Sequence, residues 1–150
     1  GIKIKRTFEK NLPLVKGNAS ILHQVFMNIV ANAVDAMERG GTLFVVTRYI
    51  PVLHRAVIEI QDTGIGIPEE LLGDVFDPFF TTKLSGEGTG LGLAISHSMV
   101  RKMGGNIRVT STFLKEGHND SQPTGTTFTI ELPALDHDQQ DTEEERTVST

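Results

Sequence analysis

A glycine-rich stretch at residues 86–93 is the feature that most constrains this chain. It reads Gly-Glu-Gly-Thr-Gly-Leu-Gly-Leu and passes directly into a segment whose apolar residues repeat with helical spacing. A loop of small residues that feeds a helix start can wrap backbone N–H groups around a polyphosphate, and the helix dipole favours the negative charge. A flexible linker followed by a helix has the same pattern. The glycines alone therefore leave both interpretations open.

Composition narrows the class of protein. The chain has 150 residues, of which 38% are hydrophobic and 22% are charged, so it can form one domain with a packed core. It contains no cysteine, which excludes disulfides and thiolate chemistry and is compatible with a reducing compartment. No apolar run is long enough to cross a bilayer. We expect a soluble cytoplasmic domain, belonging to a soluble or a membrane-anchored protein, that makes no membrane contact itself.

The charge is concentrated at the C-terminus. Residues 136–150 hold six of the 19 acidic residues and one of the 14 basic residues, so they carry the whole net charge of −5. The other 135 residues balance at 13 acids and 13 bases, which is not the basic footprint of a nucleic-acid-binding protein. We expect a folded domain at residues 1–135 and an acidic, disordered tail or linker at 136–150.

Apolar periodicity predicts an alternating set of strands and helices. The strands are predicted at residues 2–8, 42–50, 56–61, 107–113 and 126–132. A long helix capped by Asn18 or Ser20 runs to Met37, and further helices are predicted at 68–73 and 91–103. This order is typical of an α/β two-layer sandwich, with helices on one face of a mixed, largely antiparallel sheet. The irregular stretch at 75–90 has the length of a functional lid or of a disordered loop.

Two groups of polar residues are candidates for chemistry. Asn28 and Asn32 lie one helical turn apart at the edge of an apolar stripe, where their carbonyl oxygens could coordinate a hard cation or contact phosphate. Asp62 follows a predicted strand, and Gly64 and Gly66 come directly after it. The carboxylate could accept a hydrogen bond from the amino group of a base, with the glycines allowing close approach. Solvated asparagines and an ordinary strand-to-loop junction remain the simpler alternatives.

Four linked motifs together resemble the GHKL ATP-binding superfamily. The segment at 28–33 matches the N box, 62–66 the first glycine box, 76–80 the F box and 88–93 the second glycine box, all in the order and spacing of that superfamily. Thr126 matches its strand threonine near adenine. In detail the chain is similar to the catalytic and ATP-binding domain of two-component sensor histidine kinases, in the nitrogen-regulation-type branch. The resemblance covers about residues 2–133 and implies the Bergerat fold.

The resemblance also implies a role for each matched residue. Asp62 would bind the adenine amino group with Gly66 behind the base, and Asn28 and Asn32 would hold Mg²⁺ and the phosphates of ATP. Residues 81–90 would form the ATP lid. The implied nucleotide contacts are Asn28, Asn32, Asp62, Gly64, Gly66, Ile67, Phe79, Thr81, Thr82, Lys83, Gly88, Thr89, Gly90, Leu91, Gly92, Leu93 and Thr126.

One departure from the family pattern concerns the cation at the phosphates. Many relatives have a lysine or arginine followed by an aromatic residue shortly after the second N-box asparagine, where this chain has Asp35 and Ala36. Lys83 is the only lysine or arginine between Arg55 and Arg101. We therefore expect Lys83 to stabilise the charge of the γ-phosphate and to act with Asn28 as a catalytic residue, although a solvated lid lysine is the simpler alternative.

The resemblance favours a kinase over an ATPase. The ATPases of this superfamily place a glutamate general base where this chain has Asn28, whose amide cannot take a proton at neutral pH. The expected acceptor is a histidine on a separate dimerisation domain, and none of the five histidines here fits its motif. We expect the full-length protein to be a homodimer that passes phosphate to a response regulator receiver domain. A GHKL ATPase, an anti-sigma-type serine kinase and a degenerate nucleotide-binding module are the alternatives.

Overall fold

Five strands and two long helices form the fold in the computed structural model, which describes residues 1–81, 90–117 and 121–136. The predicted order is confirmed, and each bound lies within two residues of its prediction. The elements are β1 (Ile2–Phe8), α1 (Ala19–Ala36), β2 (Gly41–Ile50), β3 (Arg55–Asp62), a short 3₁₀ helix (Glu69–Asp74), α2 (Gly92–Lys102), β4 (Asn106–Thr112) and β5 (Gly125–Pro133).

The sheet is mixed and largely antiparallel, as predicted. Its strand order is β1-β2-β3-β5-β4. Only β1 and β2 are parallel, and the helix between them makes the crossover that a parallel pair requires. The strands β2, β3, β5 and β4 pair antiparallel. Because β5 inserts between β3 and β4, the C-terminal end of β3 lies beside the N-terminal end of β5.

Helix α1 supplies the centre of the core. Asn18 is its N-cap, and the Asn18 side chain accepts a hydrogen bond of 3.1 Å from the backbone N–H of Ile21. Val25, Ile29 and Ala33 recur every four residues and are buried. They pack with Val100 of α2 and with apolar residues of β2, β3, β4 and β5 in one cluster. The helices thus cover one face of the sheet, as the two-layer sandwich requires.

The opposite face of the sheet is mixed, because Phe44, Val46 and the buried Val57 lie on it among charged side chains. Two cross-strand ion pairs lie on it, Arg48 with Glu59 and Arg108 with Glu131 at 2.9 Å. Such pairs between neighbouring strands stabilise a solvent-exposed sheet surface modestly. Within the described ranges, no helix is both long and apolar enough to cross a membrane.

Candidate functional site

Two neighbouring rows of side chains on the helix-facing side of the sheet differ in polarity. The helix-facing row Val45, Ile60, Phe128 and Val109 is wholly apolar. The next row, at the end of β3 and the start of β5, consists of Leu43, Asp62, Thr126 and Ser111. Three neighbouring strands thus place polar groups where core residues would otherwise continue. Buried polar groups in such a position need hydrogen-bond partners, and these partners define the site.

Asp62 is the charged group in this row, and it is 4% exposed. Its Oδ1 accepts hydrogen bonds from the backbone N–H groups of Gly64, at 2.8 Å, and Thr126, at 3.2 Å. Burial raises the pKa of the Asp62 carboxyl, and the two backbone hydrogen bonds oppose that rise. No donor among the described residues reaches Oδ2. The second carboxylate oxygen is therefore the one that can accept from a ligand.

The glycines beside Asp62 are required by close backbone approach. A Cβ on Gly64 would lie 2.4 Å from the carbonyl oxygen of Ala36, at the end of α1. Gly66 has φ +78°, and a Cβ there would lie 2.1 Å from the carbonyl oxygen of Thr112. The turn after β3 is thus pressed between α1 and the end of β4. Neither glycine can be replaced by a larger residue without moving one of these two elements.

Ser111 is a site residue that the sequence interpretation did not select. Its Oγ accepts a hydrogen bond of 2.7 Å from the N–H of Ile67 and donates one of 2.9 Å to the carbonyl oxygen of Gly125. It also lies 2.8 Å from Oγ1 of Thr126. Ser111 therefore links the glycine turn to β5. One sequence signal points to Ser111. The alternate residues of β4 that face the helices are apolar at Ile107 and Val109, and the next one is Ser111.

Asn28 links α1 to the start of α2. Its Nδ2 donates to the carbonyl oxygen of Gly92, at 3.2 Å, and to Oγ of Ser96, at 3.0 Å. Because a carbonyl oxygen only accepts, the amide nitrogen must be the atom on this side. Asn28 therefore has Oδ1 left for a cation or a phosphate. Ser96 is fully buried, and its role as a partner for Asn28 was not predicted.

Asn32 shares the Asn28 face of α1 and is half-buried. Two amide oxygens on one helix face are hard ligands of the kind that Mg²⁺ prefers, so the residues present fit that ion. From Asn28 to the contact of Ala36 with the glycine turn, α1 advances about 12 Å at 1.5 Å per residue. Asn32 lies about 6 Å along the helix axis from the same contact, so both amides and the glycine turn are arranged along one helix.

The predicted F box separates into two roles. Phe76 packs inward, with its ring centroid 5.0 Å from that of His97 and 6.3 Å from that of Phe128 in a T-shaped contact. Phe79, which was the predicted nucleotide contact, is 73% exposed and has φ +67°. Gly90 abuts the Phe79 backbone, because a Cβ on Gly90 would lie 2.4 Å from the Phe79 carbonyl carbon. Phe76 anchors this segment, and the Phe79 side chain faces solvent.

The structure describes some of the remaining predicted nucleotide contacts and leaves four of them outside the described residues. Leu91 and Gly92 begin α2, Leu93 packs against the core, and Thr81 is exposed. Ile67 lies in the glycine turn and binds Ser111 through its N–H. Four predicted contacts lie outside the described residues, and these are Thr82, Lys83, Gly88 and Thr89.

The family match covers most of the chain. Residues 17–136 match the family described as histidine kinase-, DNA gyrase B- and HSP90-like ATPase. The chain belongs to this family. The predicted resemblance is confirmed, and every element from α1 to β5 lies within the matched residues.

The relatives of this ATPase-family domain are sensor histidine kinases. Sensor kinase CckA of Brucella abortus is 38% identical over 147 residues, which cover 89% of this chain and 15% of that protein. Sensory histidine kinase/phosphatase NtrB of Azospirillum brasilense is 35% identical over 151 residues, covering 92% of this chain and 35% of that protein. The chain thus spans from about a seventh to a third of these relatives.

Solved structures of histidine kinases share the fold. The mycobacterial sensor histidine kinase MprB superposes with a TM-score of 0.74 at 33% identity, over 89% of this chain and 84% of that one. Full-length ShkA, solved in complex with AMPPNP, has a TM-score of 0.73 at 27% identity and covers 90% of this chain and 26% of that one. The expected Bergerat fold is therefore confirmed.

Proposed function

We propose that this domain binds ATP with Mg²⁺ and transfers the γ-phosphoryl group to a histidine on a separate dimerisation domain. The observation that carries the proposal is the geometry of Asp62, whose Oδ1 is held by two backbone N–H groups while Oδ2 has no donor among the described residues. The one accessible oxygen of an otherwise buried carboxylate suits the amino group of adenine.

The phosphate end supports the same proposal. Asn28 and Asn32 would hold Mg²⁺ through their amide oxygens, and the ion would neutralise phosphate charge. The N-terminus of α2, which begins at Gly92, can donate backbone N–H groups to the phosphates. In the transfer, the bond from the γ-phosphorus to the bridging oxygen breaks and a bond to an imidazole nitrogen forms, leaving ADP. We propose that Lys83 stabilises the charge of the γ-phosphate during this step.

Hydrolysis is disfavoured by the residue at the general-base position. Asn28 stands there, and its Nδ2 donates to Gly92 and Ser96 rather than accepting a proton from water. The domain would therefore hold ATP until an imidazole arrives. We further propose that the full-length protein works in the cytoplasm as a homodimeric sensor kinase that supplies a response regulator, because its sensor-kinase relatives extend well beyond this domain.

Calorimetry tests nucleotide binding. We expect Asp62→Asn to weaken ATP binding by about 10- to 100-fold, because a hydrogen bond to a charged group contributes roughly 1.5–3 kcal/mol. Glu59→Gln is the matched control, since Glu59 lies on the same strand and faces the opposite side of the sheet. Absence of binding at millimolar ATP, or equal losses in the two variants, would contradict the proposal.

Transfer is tested by adding a histidine-bearing dimerisation domain in trans. We expect labelled phosphohistidine to form on that domain in the presence of Mg-ATP and to be lost in Lys83→Ala. Phosphate release by the isolated chain separates the alternatives. Fast release without the acceptor would indicate an ATPase and would overturn the kinase assignment.

A further inference from the structure

The Ser111 hydroxyl uses its one donor site and both of its acceptor sites in hydrogen bonds to neighbouring residues. A serine Oγ has one proton and two acceptor sites. The N–H of Ile67 occupies one acceptor site at 2.7 Å. The carbonyl oxygen of Gly125 lies 2.9 Å away and can only accept, so it takes the single proton of Ser111. The contact of 2.8 Å to Oγ1 of Thr126 must then be a hydrogen bond that Thr126 donates.

This proton count fixes the direction of the Thr126 hydroxyl. With its proton committed to Ser111, Oγ1 of Thr126 presents only lone pairs to anything else that contacts it. Thr126 is 4% exposed, and its backbone N–H binds Asp62. We propose that Ser111 is a positioning residue that holds the Thr126 hydroxyl as an acceptor towards a bound base and so helps the site select an amino purine.

The selection follows from what the neighbouring group can do. Oδ2 of ionised Asp62 is also only an acceptor. Two adjacent acceptors match an exocyclic amino group, whereas a carbonyl at the same position of the base would leave acceptor facing acceptor. A site built from buried polar groups rejects such a mismatch strongly, because the wrong base leaves those groups unpaired. The inference rests on the proposed function, since it concerns how the ATP site distinguishes bases.

The test compares ATP with ITP, which differ at the amino or carbonyl group on C6 and in the proton on the adjacent N1. We expect the wild-type chain to bind ATP at least about 100-fold more tightly than ITP. In Ser111→Ala the Thr126 proton loses its acceptor and can turn towards a carbonyl. The ATP-to-ITP affinity ratio should fall by about tenfold or more, and Ser111→Thr, which keeps a hydroxyl, should restore most of it.

Two further variants make the outcome decisive. Thr110→Ala is the control, because Thr110 lies on β4 next to Ser111 and is exposed on the other face, so it should leave the ratio unchanged. Thr126→Val removes the acceptor itself without disturbing the bonds of Ser111 to Ile67 and Gly125, and should lower the ratio even if Ser111→Ala fails to fold.

The results separate failure of the inference from failure of the proposed function. If the wild type discriminates but Ser111→Ala and Thr126→Val weaken ATP and ITP by the same factor, the site binds ATP and the positioning role is wrong. If the wild type binds neither nucleotide, the proposed function falls and the base selection falls with it. A ratio that drops in both variants and stays constant in Thr110→Ala supports the inference.

Discussion

Asp62 is held in an environment that opposes its charge. Burial raises the pKa of its carboxyl above the ordinary 3.8, although Gly64 and Thr126 donate backbone hydrogen bonds to Oδ1. The folded chain therefore retains the proton over a pH range in which the unfolded chain has released it. The free energy of unfolding consequently falls as pH rises through that range. At neutral pH the folded chain bears the whole destabilisation caused by the ionised Asp62 carboxylate. The same ionised carboxylate is the form that accepts from an amino group, so binding and stability depend on pH with opposite signs.

This trade-off predicts the pH dependence of Asp62→Asn without nucleotide. Between about pH 3 and pH 7, the free energy of unfolding of Asp62→Asn should rise relative to wild type by about 1.4 kcal/mol for each unit by which the folded-state pKa exceeds the ordinary value. Urea titrations of both proteins at each pH measure the difference. A difference that is constant with pH would show that the folded-state pKa of Asp62 is not raised. In wild type, ATP affinity should decline on acidification through the same range.

At the scale of elements, the site depends on how closely backbones approach around the turn after β3. Gly66 lies against the Thr112 carbonyl at the end of β4, and Gly64 lies against the end of α1. The turn is further tied by hydrogen bonds from the Ile65 N–H to the Ala36 carbonyl at 3.2 Å and from the Leu114 N–H to the Ile65 carbonyl at 2.7 Å. These contacts hold the turn that follows Asp62 to α1 and to the chain after β4 simultaneously.

Two glycines with the same backbone angle test this close approach. Gly66 and Gly117 both have φ +78°, but a Cβ on Gly117 meets nothing within 4 Å. We expect Gly117→Ala to lower the free energy of unfolding by about 1 kcal/mol, the cost of a left-handed alanine. Gly66→Ala should cost about 3 kcal/mol or more, because the clash with Thr112 adds to that strain. Denaturant unfolding measures both, and equal losses would contradict the proposed packing.

At the scale of the whole molecule, the C-terminal end of the described chain is fastened to two distant segments. The Leu135 N–H donates to the Leu14 carbonyl at 2.8 Å, and the Ala134 N–H donates to the His54 carbonyl at 3.0 Å. The Lys16 N–H also donates to the Pro133 carbonyl at 3.4 Å. This segment therefore connects the chain before α1 to the turn between β2 and β3. The family match ends at residue 136, directly after it.

Two truncations test where the folded domain ends. We propose that removing residues 137–150 changes the free energy of unfolding by less than about 0.5 kcal/mol and leaves ATP affinity unchanged, because the segment is acidic and contains almost no apolar residue. Ending the chain at Leu132 should cost at least about 3 kcal/mol, because three backbone hydrogen bonds of about 1 kcal/mol each are lost together with the burial of Ala134. Thermal and urea unfolding distinguish the two, and a large loss in the shorter truncation would place the boundary nearer the C-terminus.

The sequence by itself determined the elements, the family and the polar residues at the two ends of the site. Apolar spacing, the Asn18 cap and the paired glycines are local signals, and each acts within about one turn of chain, so the helices and strands could be read from them. Asn28, Asn32 and Asp62 were visible because polar residues interrupt or end apolar patterns.

Only the tertiary structure decided how those residues are used. Ser111 and Thr126 are 15 residues apart, and Asn28 and Ser96 are 68 apart, so their hydrogen bonds depend on strand register and helix packing that no local pattern contains. The same long-range contacts left Oδ2 of Asp62 and Oδ1 of Asn28 as the available atoms. Long-range contacts also place the Phe76 side chain against the core, whereas the Phe79 side chain is exposed. Periodicity reports which residues are buried, whereas the pairing of buried polar atoms is settled only when distant segments meet.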